Sequence, residues 1–363
     1  MTGSGMETVR ILGAGPAGLT AAITLARAGF DVEVMEQRNG VGTRFSGDLQ
    51  GLENWSRTTD ILDELGEMGI ETDFDHAPYT DLLISNAEEV LRFSCARPAF
   101  YLLRRGPYEG SLDLSLLRQA TDAGANIHFS RSIPPADADI VATGPSREGI
   151  FAVAKGFTFT TDMENTAIGL IDPTSSRGGY AYLLVMDGIG CLATVLMHSY
   201  SDVAVCLRRA EHLFEQMTDL EIRDPHPCGG VGSYMTERRF MDGTCRFAGE
   251  AAGLQDPMWG FGIRFAVRSG YCAAQSIIEG FEYGDAASST FEPLMRAGTV
   301  NRYLWDRYGV KNYNHLFGRL RGVQDPLSHL HSFHSFNIYQ RMLYSRAERH
   351  LRDRYARGST PPE

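Results

Sequence analysis

The chain has 363 residues, enough for one large core or two domains sharing a sheet. A hydrophobic content of 43% excludes a disordered chain, and no apolar run approaches the roughly 20 residues a membrane helix needs. The formal net charge of −11 would repel nucleic acid, which excludes it as a partner.

VRILGAG at the start predicts a buried parallel strand, Pro16 to Gly29 a helix and DVEVME a second strand, together one βαβ unit. A long helical stretch is predicted around Leu52 to Met68, then short strands in DLLIS and VLRFSC. LDLSLLRQATDAGA is amphipathic, with Leu112, Leu114, Leu117 and Ala120 on one face and Gly124 as its C-cap. NIHFS and ADIVATG return to strands. From Phe157 to Leu207 the segments GFTFTT, NTAIGLI, GYAYLLVM, GIGCLATVLM and DVAVCL predict an antiparallel sheet standing apart from the βαβ part. Arg208 to Leu220 reads as a helix, and DPHPCGGVGSY, ending at Tyr234, as a Pro/Gly-rich crossing. CRFAG predicts a strand, and the glycine cluster after it ends in a helix.

From Phe291 onward the pattern is mostly helical. Between Arg296 and Arg357 twelve cations face four acids, a local balance of +8 in an acidic chain. This is either a solvated set of helices on an acidic body or a contact surface for a membrane or partner. His329, His331 and His334 have no acid cluster nearby, so no metal site is expected. The six cysteines show no CxxC spacing and read as buried free thiols; the two lysines, Lys155 and Lys311, leave few candidates for Schiff-base chemistry. MTGSGMETVR lacks a signal-peptide core, so a cytoplasmic location is expected.

Gly13, Gly15 and Gly18 form GxGxxG directly after a strand and at the head of a helix. The first permits a tight turn, the second lets the backbone approach a pyrophosphate, and the third lets the helix pack on the strand. With Ala14, Pro16 and Ala17 they form the turn and helix start whose free N–H groups face phosphates. Glu36 closes the second strand and can accept both ribose hydroxyls.

GAGPAG, followed by the strand ending Glu36-Gln37-Arg38, resembles the FAD-binding version of this fold. CRFAGEAAGLQDPMWGFGIRFAVRSG resembles the FAD-closing segment of the p-hydroxybenzoate-hydroxylase-like flavoproteins through Gly249, Ala251, Ala252, Gly253, Pro257, Gly260 and Gly262, with Glu250 where that family has Asp. The resemblance implies FAD, with Glu250 on the ribityl chain. The helix start at Gly262 and Ile263 would face the flavin N1–C2=O edge, where its dipole stabilises the charge gained on reduction. Trp259 and Phe261 either line the isoalloxazine or are core aromatics.

VGTRFSGDLQG resembles the geranylgeranyl-reductase branch, with Arg44, Phe45, Gly47 and Asp48 in its flavin-reaching loop and Ser46 at the position of the branch's cysteine. GGYAYLLVMDGIGCLATVL resembles that branch's substrate sheet, Tyr180 and Tyr182 standing for its first and third motif positions. Arg105 matches a family arginine, with Asp113 as a helix-head acid that is equally an ordinary N-cap-region residue. Thr143-Gly144 stands where aromatic hydroxylases have Asp-Gly. Ser46 and the absent Trp and Phe-Pro of the substrate motif set this chain apart from isoprenoid reducers.

The expected fold class is therefore α/β: a Rossmann-type FAD-binding domain with a parallel sheet (1–78, 105–155 and 240–290), an antiparallel substrate sheet (79–104 and 156–239) and C-terminal helices (291–363). The expected function is an FAD-dependent oxidoreductase passing hydride between flavin N5 and an apolar or aromatic small molecule. An FAD monooxygenase and a non-catalytic escort protein are the alternatives. Ser46, Tyr180 and Tyr182 are candidate proton donors, and His198 a candidate in the same chamber. No second GxGxxG exists, so NAD(P)H would bind transiently or a partner protein would supply electrons.

Overall fold

The computed structural model describes residues 7–145, 149–233, 235, 238–309, 318 and 320–355. Lys311, Tyr234 and Arg357 lie outside the described residues, as do Ser146, Arg147 and Glu148 of the ADIVATGPSREG stretch.

The first sheet runs in the order Met241–Asp242, Cys245–Phe247, Ile140–Val141, Thr8–Leu12, Asp31–Glu36, Asn126–Phe129, parallel except at its first pair. Val9, Ile11, Val32, Val34, Ile140 and Val141 are buried in one core cluster, as parallel strands covered on both faces must be. The helix Pro16–Arg27 connects the first two strands and lies against the helices Leu112–Asp122 and Ile263–Glu279.

The second sheet has seven strands, ordered Arg223–Ser233, Ile150–Thr160, Ile189–Leu196, Tyr180–Met186, Thr166–Leu170, Asp81–Ser85, Val90–Ser94. All its pairs are antiparallel except Thr166–Leu170 with Asp81–Ser85. Ala181, Leu183 and Val185 point to the face covered by Ala210, Leu213 and Phe214 of the helix Val203–Met217. Strand alternation sends Tyr180, Tyr182 and Leu184 to the opposite face. There Phe151, Ala152, Val195 and Met197 meet Leu351 and Tyr355 of the final helix, Ile338–Tyr355.

A third, antiparallel sheet joins Leu49–Glu53 to Phe100–Arg104 and His76–Tyr79. Two segments thus pair across the expected domain boundaries: Phe100–Arg104 in this sheet, and residues 150–155 in the seven-stranded one. Among the described residues no helix is long and apolar enough to cross a membrane.

Three local expectations are corrected. The stretch from Leu52 to Met68 is helical only over Ile61–Glu67, because the Glu53 carboxylate accepts from the Trp55 and Ser56 N–H groups and builds a turn. Asp60 then caps the helix through Leu62 N. DVAVCL is not a strand: Val203, Cys206, Ala210, Leu213 and Phe214 form a helical stripe, whose packing overrides the β preference of valine. DPHPCGGVGS is a strand rather than a crossing, and it sits at the sheet edge, where Pro225 and Pro227, which have no N–H to donate, are tolerated because the strand has a neighbour on one side only.

Candidate functional site

Gly13 has φ +106°, and a Cβ there would stand 2.4 Å from the Ala142 carbonyl oxygen. A Cβ on Gly18 would lie 1.9 Å from the Gly13 carbonyl oxygen, so the helix can begin this close to its strand only without side chains. Gly15 differs: its backbone is ordinary (φ −85°), and nothing lies within 4 Å of where its Cβ would be. That open side, next to the uncapped first turn of Pro16–Arg27, is the cradle an anion needs. The Glu36 carboxylate accepts from Ala14 N at 2.9 Å and Arg38 N at 2.8 Å, which fixes it beside the turn. Gln37 and Arg38 are exposed at the strand end. Gly144, with φ +80°, follows the neighbouring strand and likewise has nothing within 4 Å of its Cβ position.

The second turn is held by its own backbone. The Asp256 carboxylate accepts from Met258 N (3.0 Å) and Trp259 N (3.2 Å), Gly260 N donates to the Asp256 carbonyl, and Asp256 N donates to the Phe261 carbonyl. Pro257 packs against Gly298, where a Cβ would stand 2.8 Å from its ring. The helix Ile263–Glu279 then starts at Gly262 with no side chain capping it, leaving its N–H groups and positive end directed at the crevice.

The helices that follow the two turns pack on each other. A Cβ on Gly270 would lie 2.0 Å from the Ala17 carbonyl oxygen, so the second helix rests directly on the first. Gly249 lies against Ala17, its N–H donating to Ser269 Oγ at 2.8 Å. The Arg44 guanidinium stands 3.7 Å from the Glu250 carboxylate; burial pushes the Glu250 carboxyl up, opposed by Arg44 and Arg105. Residues more than two hundred positions apart in sequence therefore stand side by side.

The loop between them is rigidly built. The Phe45 ring lies between the Arg44 and Arg105 guanidinium carbons at 4.5 and 4.4 Å. Arg105 is 4% exposed; it donates twice to Asp113, both at 2.9 Å, and once to Gln50. Gly106 N also donates to Asp113, which makes Asp113 the organising acid of this corner. Ser46 N donates to the Asp48 carboxylate at 2.8 Å, while Thr158 Oγ1 donates to the Ser46 carbonyl at 3.1 Å. Gly47, at φ +86°, turns between them against Arg104. This last link ties the glycine-motif half to the open face of the seven-stranded sheet.

On that face Tyr180 and Tyr182 have ring centroids 6.2 Å apart. The Tyr180 hydroxyl donates to the Trp259 carbonyl, anchoring the second turn to the sheet. The Tyr182 hydroxyl has no hydrogen-bond partner among the described residues; Cys191, Cys228 and Asp48 lie in its electrostatic reach. Burial pushes both phenols well above their ordinary range, so both stay protonated at neutral pH. The Trp259 ring meets Tyr180 and Trp305 edge-on at 5.7 and 5.9 Å. Phe261 turns instead into the core, 4.7 Å from Trp55 and over Gly51. The structure does not gather His198 with Ser46 and Tyr182. Its ring lies against Gly178, with Arg354, Asp306 and Arg302 around it, and burial and the arginines push it below its ordinary value.

Two features have no local sequence signal. Arg264 is fully buried and meets Glu64 at 2.7 Å, while Arg268 reaches the same carboxylate at 2.9 Å, clamping the second helix onto Ile61–Glu67. His334 is buried with Nε2 4.0 Å from Asp256, and His331 Nδ1 lies 3.0 Å from the Trp55 carbonyl, so the C-terminal helices brace the second turn. Among the described residues no His, Cys, Asp and Glu side chains gather in a metal-holding group.

Residues 11–51 match the NAD(P)-binding Rossmann-like domain family, the segment of the first glycine turn. No curated protein matches the chain. Among solved structures, a geranylgeranyl bacteriochlorophyll reductase-like protein from Thermoplasma acidophilum superposes with a TM-score of 0.70 at 17% identity, covering 96% of this chain and 100% of that one. The flavin-dependent brominase Bmp2 gives 0.64 at 15% identity, covering 96% and 100%. The 2-methyl-3-hydroxypyridine-5-carboxylic acid oxygenase gives 0.59 at 16% identity, covering 84% and 93%.

Proposed function

We propose, on the premise that this chain has the fold of the flavin-dependent oxidoreductases, that it is an FAD-dependent enzyme acting on an apolar or aromatic small molecule held against the seven-stranded sheet. The observation that carries this reading is the packing of the helices that follow the two glycine turns, Gly270 on Ala17, with Arg44 beside Glu250. A lone nucleotide-binding βαβ unit would need only the first turn.

The residues fit the cofactor. The open side of Gly15 and the N–H groups of Gly15 and Ala17 would hold the diphosphate, and Glu36 the ribose hydroxyls. Glu250 and Arg44 would hold the ribityl chain, and the uncapped helix start at Gly262 and Ile263 would polarise the ring edge. When bound, FAD supplies hydride transfer at N5. In the reductive direction the Tyr182 hydroxyl would donate the accompanying proton to the substrate, being unengaged, whereas the Tyr180 hydroxyl is committed to Trp259. Trp259, Tyr180 and Tyr182 give the substrate face its aromatic character. Thr143-Gly144 in place of Asp-Gly favours this direction over oxygen insertion.

Tyr182→Phe is expected to slow reoxidation of the reduced enzyme by apolar or aromatic acceptors about 10²-fold or more, with FAD affinity unchanged. Stopped-flow absorbance under anaerobic conditions measures it, and an unaltered rate contradicts the assignment. Parallel reduction with NADH, NADPH and ferredoxin-like donors identifies the source of electrons; we infer transient NAD(P)H binding, which reduction only by a protein donor would refute.

A further inference from the structure

The helix Ile338–Tyr355 has two working faces. Gln340, Ala347, Leu351 and Tyr355 are buried against the body, and Leu351 and Tyr355 close the substrate side of the seven-stranded sheet. The outer face carries Arg341, Arg346, Arg349 and Arg352 against a single exposed acid, Asp353. At its leading end the same face presents Ile338, Tyr339 and Met342, 63%, 74% and 78% exposed, and Phe333 of the preceding helix is 42% exposed beside them. Exposed large apolar side chains are ordinary when scattered singly and informative when four fall within ten residues.

We propose that this face is a docking surface for an anionic lipid bilayer. The protein as a whole carries −11, so a bilayer would repel most of its surface; the arginine face is the local exception. An acidic protein would satisfy the arginines, but a folded acidic surface leaves Ile338, Tyr339 and Met342 without apolar contact. A bilayer interface takes both: headgroups on the arginines, and the apolar tip with its tyrosine at the acyl boundary. An isologous pairing of two copies would set arginine face against arginine face. In the docked orientation the helix separates the bilayer from the substrate side of the sheet, which places an apolar substrate one helix away from its source.

Vesicle flotation of the full chain tests this. Wild-type protein is expected to float with mixed phosphatidylcholine–phosphatidylglycerol vesicles, to remain largely free with phosphatidylcholine alone, and to be displaced in part by salt. The pair Arg346→Glu and Arg349→Glu should weaken binding about tenfold or more, and Ile338→Asp with Met342→Asp should abolish the salt-resistant part. All four positions are exposed, and thermal unfolding checks that the variants remain folded. Equal flotation of wild type and variants, no preference for anionic vesicles, or self-association that these variants dissolve would each overturn the proposal. Flavin uptake is read separately by absorbance, so loss of vesicle binding and failure to take up FAD are distinct outcomes.

Discussion

Gly13→Ala is expected to abolish FAD uptake and to lower the unfolding midpoint, whereas Gly15→Ala weakens FAD binding about 10²-fold and leaves the midpoint nearly unchanged. At Gly13 the new methyl group meets a backbone oxygen at 2.4 Å, and φ +106° already strains any L side chain. The obstacle cannot swing aside, because Ala142 N donates to the Leu12 carbonyl within the parallel sheet. Strand, turn and helix must shift together, a cost of about 2 kcal/mol or more. At Gly15 the protein itself offers no obstacle: the backbone is in a common region and the space is empty. A methyl group there stands where the diphosphate would rest and displaces it, lowering affinity about 10²-fold. FAD titration by absorbance and thermal unfolding of the two apo-proteins separate the cases. Equal unfolding midpoints, or retained FAD affinity in Gly15→Ala, contradict this account.

The second large effect is expected from Asp113→Ala. It strands the buried Arg105 guanidinium and the Gly106 N–H, and loss of one partner from such a pair costs about 3–5 kcal/mol. For a chain of this size that corresponds to a midpoint roughly 4–7 °C lower. Arg105 also backs the Phe45 ring, so the Arg44–Ser46 loop loosens and FAD affinity falls. Replacing both partners, Arg105→Met with Asp113→Leu, should restore much of the stability but not the affinity. The pair also sets a pH dependence. Burial alone would raise the Asp113 carboxyl, but the Arg105 charge and hydrogen bonds and the Gly106 N–H hold it below its ordinary value. A depressed folded pKa stabilises above the unfolded value near 4 and loses that contribution as pH falls through the lower folded one. Wild-type stability should therefore drop below about pH 4 more steeply than that of Asp113→Ala. Parallel acid-unfolding curves would contradict the assignment.

What the sequence revealed depended on how local the cause was. The first turn was legible because its three glycines keep a fixed spacing between a strand and a helix start, and the second because its pattern resembles a flavin-closing segment in which Gly260 and Gly262 precede a helix. Tyr180 and Tyr182 were legible only through the resemblance of their segment to a substrate-sheet motif, and strand alternation then explains why they share one face. Val203–Leu207 was misread because a β-branched run hides its helical stripe until the sheet beneath it is known. Pro225 and Pro227 disguised an edge strand, since proline is a poor guide once a strand has only one partner. Glu64 with Arg264 and Arg268 was invisible, because ion pairs two hundred residues apart leave no spacing to recognise. His198 fell outside the chamber because it follows the end of its strand, where alternation no longer fixes direction.

The measurement that bears most directly on the whole account is difference density from crystals soaked in FAD. The expected result is one continuous dinucleotide, its ribose on Glu36, its diphosphate over Gly15 and its ring edge at Gly262 and Ile263, with Tyr182 across from the ring. Density confined to the Glu36 and Gly15 half, or a nicotinamide nucleotide there with the Gly262 helix start untouched, would contradict it.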